Sequence, residues 1–189
     1  MIVVFTGSHG TGKSSLIEKL KSWDNVECVN SVTRSTISAK ERRIDGVKDL
    51  DRSQYDILGR VIELTGDLIK KNQENPNKIF LADRSIFDFV AYTRAFHKRG
   101  LVSDECLRTI EGTTQNISQN YDLICYLPIE FDIVDDGIRS LDEELRRIVD
   151  QEIQEQIKGK ENVIKLSGSY EERIESLRSR IIHTGTQAD

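Results

Sequence analysis

MIVVFTGSHGTGKSSLIEKL, residues 1–20, contains a short apolar run, a glycine-rich turn and then a segment with helical spacing. The turn, residues 7–14, matches the pattern GxxxxGK[ST], in which the backbone N–H groups of a small-residue loop surround a phosphate. The pattern requires a strand before it and a helix after it. Residues 1–6 have the apolar character of a buried strand, and a helix is expected to begin near Lys13. This stretch predicts a phosphate-binding loop in an α/β domain, whereas an ordinary capped turn is the competing interpretation.

The chemistry of the loop predicts a bound nucleoside triphosphate with Mg²⁺. Lys13 adds a full positive charge beside the phosphates, and the hydroxyl of Ser14 is a suitable ligand for Mg²⁺ between the β and γ phosphates. His9 and Thr11 occupy variable positions of the pattern, so no catalytic role is predicted for either of them. The residues predicted to bind the nucleotide are Gly7, Ser8, His9, Gly10, Thr11, Gly12, Lys13, Ser14 and Ser15.

The remainder of the chain alternates apolar strand-like runs with helical patterns. Strands are predicted over residues 1–6, 26–30, 79–83, 122–128 and 162–167. Further helices are predicted over residues 53–72, after Ser85, over 141–157 and over 170–182. The strands show little polar alternation, which is typical of a parallel sheet covered on both faces. Ser140 and Glu143 have the spacing of a capping box at the start of the 141–157 helix.

Composition excludes several classes of protein. The chain has 189 residues, a net charge of −5 and 37% hydrophobic residues, which fits one folded domain and disfavours tight non-specific binding to nucleic acid. The apolar runs are too short to span a membrane, and the N-terminus lacks the features of a secretory signal, so a cytoplasmic location is expected. Cys28, Cys106 and Cys125 lack metal-site spacing and are expected to be inert thiols.

Asp83 ends the third predicted strand, at the sheet edge where doubly wound folds place their sites. Its carboxylate is suited to holding magnesium with Ser14, or to accepting the proton of an attacking hydroxyl. Arg84 follows directly, and its guanidinium can pair with a phosphate or a carboxylate. A simple role of both residues in capping the next helix is the alternative.

GSHGTGKSS (7–15), DRSIFDFVAY (83–92), YDLICYLP (121–128) and DDGIRSLDEELRRIVDQ (135–151) together resemble the small P-loop kinases of the AAA type. That family includes the ribosylnicotinamide kinase domain of bacterial NAD-metabolism proteins, thymidylate-kinase-like enzymes and phage-encoded nucleotide kinases. The resemblance implies a three-layer P-loop NTPase fold with a five-stranded parallel sheet flanked by helices and a small helical lid. It implies a single kinase domain over residues 1–183, with a lid over about 134–158 and a flexible tail from 184.

The resemblance also implies that the bound nucleotide is ATP, held with Mg²⁺ at residues 7–15, and it implies roles for individual residues. Lys13, Asp83, Arg84 and Arg139 are the implied catalytic residues, and Arg139 belongs to a DGxR motif that enters the lid. Ser14 and Asp83 are the implied metal ligands. Asp88 and Tyr92 match positions beside the substrate, although a supporting role is equally open. Arg34 follows the second predicted strand, where its side chain either contacts an acceptor phosphate or lies at the surface without contacting the acceptor. Arg146 and Arg147 are placed on the polar side of their helix, with solvent-facing and functional roles both open.

The function favoured by these residues is transfer of the γ-phosphoryl group of ATP to a nucleoside or nucleoside monophosphate. One alternative keeps the chemistry and places the acceptor hydroxyl in nucleic acid, at a strand end or on a hydroxymethylated base such as 5-hydroxymethyluracil in phage DNA. Another is a regulatory nucleotide-binding module without transfer. The expected partner is a small-molecule acceptor, the location is the host cytoplasm if the chain is phage-encoded, and monomer and homodimer both remain open.

Overall fold

The computed structural model of the chain describes residues 1–29, 49–132 and 142–185. Within these ranges five parallel strands form one sheet with the order β2-β3-β1-β4-β5. The strands are β1 (Ile2–Thr6), β2 (Val26–Val29), β3 (Ile79–Asp83), β4 (Leu123–Tyr126) and β5 (Val163–Lys165). The predicted five-stranded parallel sheet is therefore confirmed, and most strands are one to three residues shorter than their apolar runs.

Six α-helices lie in the described ranges and connect or follow the strands. They are α1 (Lys13–Leu20), α2 (Leu50–Glu74), α3 (Ile86–Lys98), α4 (Asp104–Thr114), α5 (Glu143–Ile157) and α6 (Tyr170–Gly185). A short 3₁₀ helix (Ile117–Asn120) precedes β4. Helix α4 has no counterpart among the predicted helices, although Ser103 caps it by accepting a hydrogen bond from the backbone N–H of Cys106.

The central strand β1 shows why the fold has three layers. Successive side chains of a strand point to opposite faces of the sheet. Ile2 and Val4 enter the apolar cluster covered by α2, α3, α4 and α5, whereas Val3 and Phe5 enter the cluster covered by α1 and α6. All four side chains are buried, so both faces need helices. The predicted three-layer α/β arrangement is confirmed.

Two helix starts differ from the predicted ones. Helix α2 begins at Leu50 rather than near residue 53, because the side chain of Asp49 accepts a hydrogen bond from the backbone N–H of Arg52. The predicted capping box of Ser140 and Glu143 is wrong, because α5 begins at Glu143 and Asp142 caps it through the N–H of Leu145. Ser140 lies outside the described residues.

Helix α5, which the predicted lid includes, packs its apolar stripe into the core against α3. Asp142, at its start, pairs with the guanidinium of Arg99 at the end of α3, and this pairing lowers the pKa of Asp142 to about 2. Glu152 accepts hydrogen bonds from Arg94 and Lys98. Residues 133–141 lie outside the described ranges, so the remainder of the lid stays a prediction. No helix in the described ranges is long and apolar enough to cross a membrane.

Candidate functional site

The glycine-rich loop joins the carboxyl end of β1 to the first turn of α1. Because β1 lies between β3 and β4, the loop stands at the middle of the sheet edge. A side chain at Gly7 is excluded, since a Cβ atom there would lie 2.4 Å from the carbonyl oxygen of Leu127. Gly12 caps α1 with a φ of +89°, which residues with a side chain rarely adopt. The strand, loop and helix that the motif requires are all present.

Lys13 lies inside this loop, and its side chain is only 6% exposed. Its ammonium group donates to the carbonyl oxygens of Gly7 at 2.5 Å and of Ser8 at 2.7 Å. The carboxylate of Asp88 is 3.9 Å away. The ammonium group of Lys13 therefore lies within the loop, next to the position at which the backbone N–H groups would bind a phosphate.

Ser14 and Asp83 meet across the edge of the sheet. The hydroxyl of Ser14 donates to Asp83 Oδ2 at 2.8 Å, and Asp83 Oδ1 is buried with no hydrogen-bond partner among the described residues. A hydroxyl and a carboxylate are oxygen ligands of the kind that Mg²⁺ prefers, so the pair fits this ion. The described ranges contain no cluster of three or more His, Cys, Asp or Glu side chains that could hold a metal. Water and phosphate oxygens would supply the other ligands.

Arg84 occupies a strained position beside Asp83. Its φ is +94°, a conformation that costs about 1–3 kcal/mol when the residue carries a side chain. The backbone N–H of Arg84 donates to the carbonyl oxygen of Phe5 at 3.1 Å, which ties the bend to the central strand. Strain of this kind persists where the surrounding structure holds it, and it is concentrated at functional sites.

Tyr92, from α3, connects Arg84 to the phosphate loop. The guanidinium of Arg84 lies 6.0 Å from the centre of the Tyr92 ring, and the Tyr92 hydroxyl is hydrogen-bonded to His9 Nδ1 at 2.8 Å. Burial raises the pKa of Tyr92, so the phenol stays protonated at neutral pH. Burial alone lowers the pKa of Arg84, but the neighbouring Tyr92, Asp88 and Asp83 raise it on balance, so Arg84 keeps its charge.

Asp88 is buried between the loop and α3. Its carboxylate completes a capping box by accepting hydrogen bonds from the backbone N–H and the hydroxyl of Ser85. Its other oxygen lies 3.4 Å from the backbone N–H of Gly7. The side chain thus orients the start of α3 and the loop together. A direct role for Asp88 in binding substrate stays a prediction.

Two buried arginines contact the phosphate loop from outside. Arg146 and Arg173 are each only 1% exposed. Arg146 donates to the carbonyl oxygen of His9 at 3.1 Å, and Arg173 donates to that of Thr11 at 2.9 Å. The placement of Arg146 on the polar side of α5 is wrong, because its spacing from Val149 and Ile153 puts all three on one buried face. Arg147 is exposed.

Arg173 is the residue of this site that sequence reasoning missed. It precedes Leu177 by four residues, which puts both on the buried face of α6. A charged residue in line with an apolar stripe is the signal that could have revealed it. Arg34 and Arg139, which were predicted to contact the acceptor and the transferred phosphoryl group, lie outside the described residues.

The cysteines lie apart from this site as free thiols. Burial raises the pKa of Cys106 to about 11 and raises that of Cys125 as well. Cys28 is half-buried, and burial raises its pKa too. These shifts keep the three thiols protonated at neutral pH, which disfavours nucleophilic roles.

The family model described as an AAA domain matches residues 2–173, which include the five strands of the described ranges, the phosphate loop and the start of α6. The chain belongs to this AAA domain family. No curated protein sequence matches the chain at a significant level.

Several solved structures share the fold of this chain. A deoxyadenosine kinase from M. mycoides with the products dCMP and dCDP has a TM-score of 0.64 at 15% identity, with 97% of this chain and 100% of that chain aligned. A thymidylate kinase from Candida albicans has a TM-score of 0.69 at 15% identity, with 100% and 93% aligned. The NadR protein in complex with NR has a TM-score of 0.69 at 20% identity, with 94% of this chain and 50% of NadR aligned.

Proposed function

We propose that this AAA domain is an ATP-dependent phosphotransferase that moves the γ-phosphoryl group of ATP to a nucleoside or nucleoside monophosphate. The observation that carries the proposal is the 2.8 Å contact between Ser14 and Asp83. It brings a loop hydroxyl and a strand-end carboxylate together beside Lys13, as a magnesium nucleotide site requires. The shared fold with enzymes named as deoxyadenosine and thymidylate kinases supports this reaction class.

The donor half of the proposed reaction depends on the loop. Its N–H groups and the start of α1 bind the phosphates, and Lys13 exchanges its contacts with loop carbonyls for contacts with phosphate oxygens. Bound Mg²⁺, held by Ser14 and Asp83, would neutralise part of the charge on the β and γ phosphates. Holding the nucleotide in one orientation is the main contribution of such a site, because phosphoryl transfer needs little covalent help from the protein.

The acceptor half depends on Asp83, Arg84 and the residues around them. Asp83 either stays with the metal or takes the proton of the attacking hydroxyl through Oδ1, which has no hydrogen-bond partner in the described part of the chain. Arg84 remains protonated and can bind the acceptor or the transferred group. We assign Arg139 to the transferred phosphoryl group, on the strength of its DGxR motif, and Arg34 to the acceptor.

A transfer assay with γ-labelled ATP tests the function directly. The acceptors are a panel of deoxynucleosides, nucleoside monophosphates, ribosylnicotinamide, duplex DNA and single-stranded DNA, with an acceptor-free reaction as the blank. We expect label on a nucleoside or a monophosphate and none on DNA. Label on DNA would favour the nucleic-acid alternative, and label found only as free phosphate in every mixture would contradict both kinase functions.

A further inference from the structure

The outer side of the phosphate loop requires hydrogen-bond donors. A loop that points its N–H groups at a phosphate points several of its carbonyl groups away, and buried carbonyl groups need partners. Ser8, His9 and Thr11 are all buried. The carbonyl of Thr11 receives its hydrogen bond from Arg173, which lies 162 positions later in the chain. Helix α6 therefore supplies one of the donors that hold the phosphate loop.

The guanidinium of Arg173 joins three loops at the sheet edge. One of its nitrogens donates to the carbonyl oxygen of Thr11, and another donates to Glu130 at 2.7 Å. Glu130, in the segment that follows β4, also accepts from the backbone N–H of Gly168, which follows β5. Burial raises the pKa of Glu130, but Arg173 and Gly168 outweigh it and lower the pKa overall, so Glu130 is ionised at neutral pH.

Neighbouring residues pack closely around the guanidinium of Arg173. A Cβ atom at Gly12 would lie 3.2 Å from a guanidinium nitrogen of Arg173, so the small residue at the start of α1 lets the arginine approach the loop. The ring of Phe131 lies 5.3 Å from the guanidinium carbon. The arginine is thus enclosed by the loop on one side and by an aromatic ring on another.

We propose that Arg173 is a positioning residue for the donor nucleotide. It holds the Thr11 carbonyl outward, and the neighbouring N–H groups of the loop consequently keep the orientation that binds phosphate. It acts through the backbone and through Glu130 and does not itself contact the reacting atoms. This inference rests on the proposed function, because it assumes that the loop binds MgATP.

The geometry favours arginine over lysine at this position. The two acceptors lie on different elements, and the planar guanidinium presents N–H groups to both at fixed angles. An ammonium group on a flexible stem keeps the charge but not this pairing. Arg173→Lys therefore isolates the hydrogen-bond geometry, whereas Glu130→Gln removes only the charge of the partner.

The experiment measures donor and acceptor binding separately. Wild-type protein, Arg173→Lys, Glu130→Gln and the double variant are titrated with MgATP by calorimetry, and KM is measured for ATP and for the labelled acceptor. We expect both single variants to weaken ATP binding, Arg173→Lys by about 10-fold, because a charge-assisted hydrogen bond is lost. The KM for the acceptor should stay within about 2-fold of the wild-type value. The double variant should lose less free energy of ATP binding than the sum of the losses in the two single variants, since Arg173 and Glu130 act as one unit.

Arg178→Lys is the matched control, because Arg178 lies on the same helix, is exposed and contacts the ring of Trp23. Arg178→Lys should leave the KM for ATP and the KM for the acceptor unchanged. Unchanged ATP affinity in Arg173→Lys and Glu130→Gln, or equal losses for ATP and acceptor, would overturn the inference while leaving the proposed function intact. If Arg173→Lys does not fold, the MgATP affinity of Glu130→Gln alone tests the inference. A wild-type protein that does not bind MgATP would remove the proposed function and this inference together.

Discussion

The two sides of the candidate site are built in different ways. The donor side, defined as the loop of residues 7–14 with Arg146 and Arg173, is held by hydrogen bonds to backbone carbonyl groups. The proposed acceptor side, defined as Arg84, Asp88 and Tyr92, is held by charges and side-chain contacts around a strained backbone. A site made of backbone groups accepts any triphosphate of the right shape. Under the proposed function, selectivity for the acceptor depends on the side chains of the acceptor side.

We expect the largest mutational effects at residues that connect the donor side to the acceptor side. Asp83 is such a residue, because it contacts Ser14 on the donor side and precedes Arg84 on the acceptor side. We expect Asp83→Asn to reduce kcat by about 10³- to 10⁴-fold, whether the lost function is metal binding or proton transfer. ATP binding measured without Mg²⁺ should change by less than about 3-fold, because loop backbone groups supply that affinity.

Asp132→Asn is the control for this variant, because it makes the same change of charge in the segment after β4. Its kcat should remain at the wild-type value. Near-normal transfer by Asp83→Asn would mean that the acceptor hydroxyl and the metal are served by other groups, and the assignment of Asp83 would be wrong.

Lys13 lies on the donor side, 3.9 Å from Asp88, and its effect should be the next largest. Lys13→Ala removes the only side-chain charge of the loop. We expect kcat/KM for ATP to fall by about 10²- to 10³-fold, as when one stabilising donor is removed from an active site. Lys19→Ala, an exposed lysine in the same helix, is the control. A fall in kcat/KM of less than 10-fold would contradict the placement of Lys13 at the phosphates.

The contrast between the two sides also explains what could be predicted from the sequence. The loop is a contiguous motif, so its residues, the preceding strand and the following helix are apparent without any tertiary information. Asp83 could be placed because parallel strands end at the same sheet edge. The partners of the loop could not be placed in this way, since Arg173 and Thr11 are 162 positions apart and meet only after α6 packs on the sheet.

Other features escaped prediction for local reasons. The faces of α5 and α6 that carry Arg146 and Arg173 follow from helical spacing, but a charge on a buried stripe is usually interpreted as solvent-facing. Helix α4 contains Gly112 and two adjacent threonines near its end, which lower its helix propensity and obscure its pattern. Strand order was not encoded in any short motif. Strand order, unlike the other features, depends on contacts between elements that are distant in the sequence.

Tyr92 tests whether the two sides are independent. Tyr92→Phe removes the hydroxyl that interacts with Arg84 on the acceptor side and is hydrogen-bonded to His9 of the loop. We expect the loss of the interaction with Arg84 to raise the KM for the acceptor by about 3- to 10-fold, as for one lost hydrogen bond. The KM for ATP should stay within about 2-fold, and a parallel rise in that KM would show that the hydrogen bond to His9 couples the two sides. Combined with Arg173→Lys, the effects on kcat/KM should multiply if the sides are independent. Tyr55→Phe, on an exposed tyrosine of α2, is the control.

The smallest expected effect comes from a buried acid behind the donor side. The Asp150 carboxylate accepts hydrogen bonds from Tyr126 at 3.0 Å and from Gln154 at 2.7 Å. Burial raises the pKa of Asp150, although these hydrogen bonds and the charges of Arg146 and Lys13 oppose the shift. A raised pKa in the folded state means that the stability contributed by this group is complete below about pH 4 and is lost as the pH rises through the folded pKa.

Asp150→Asn does not titrate, so its stability relative to wild type should increase from pH 4 to pH 7. We expect the Tm of Asp150→Asn relative to wild type to be higher at pH 7 than at pH 4. ATP should bind slightly more tightly, because a negative charge near Lys13 is lost. Glu155→Gln, an exposed change on the same helix, should show no such pH dependence. A Tm difference that stays constant with pH would mean that Asp150 is ionised in the folded protein at no cost, and that the positive charges behind the loop already balance it.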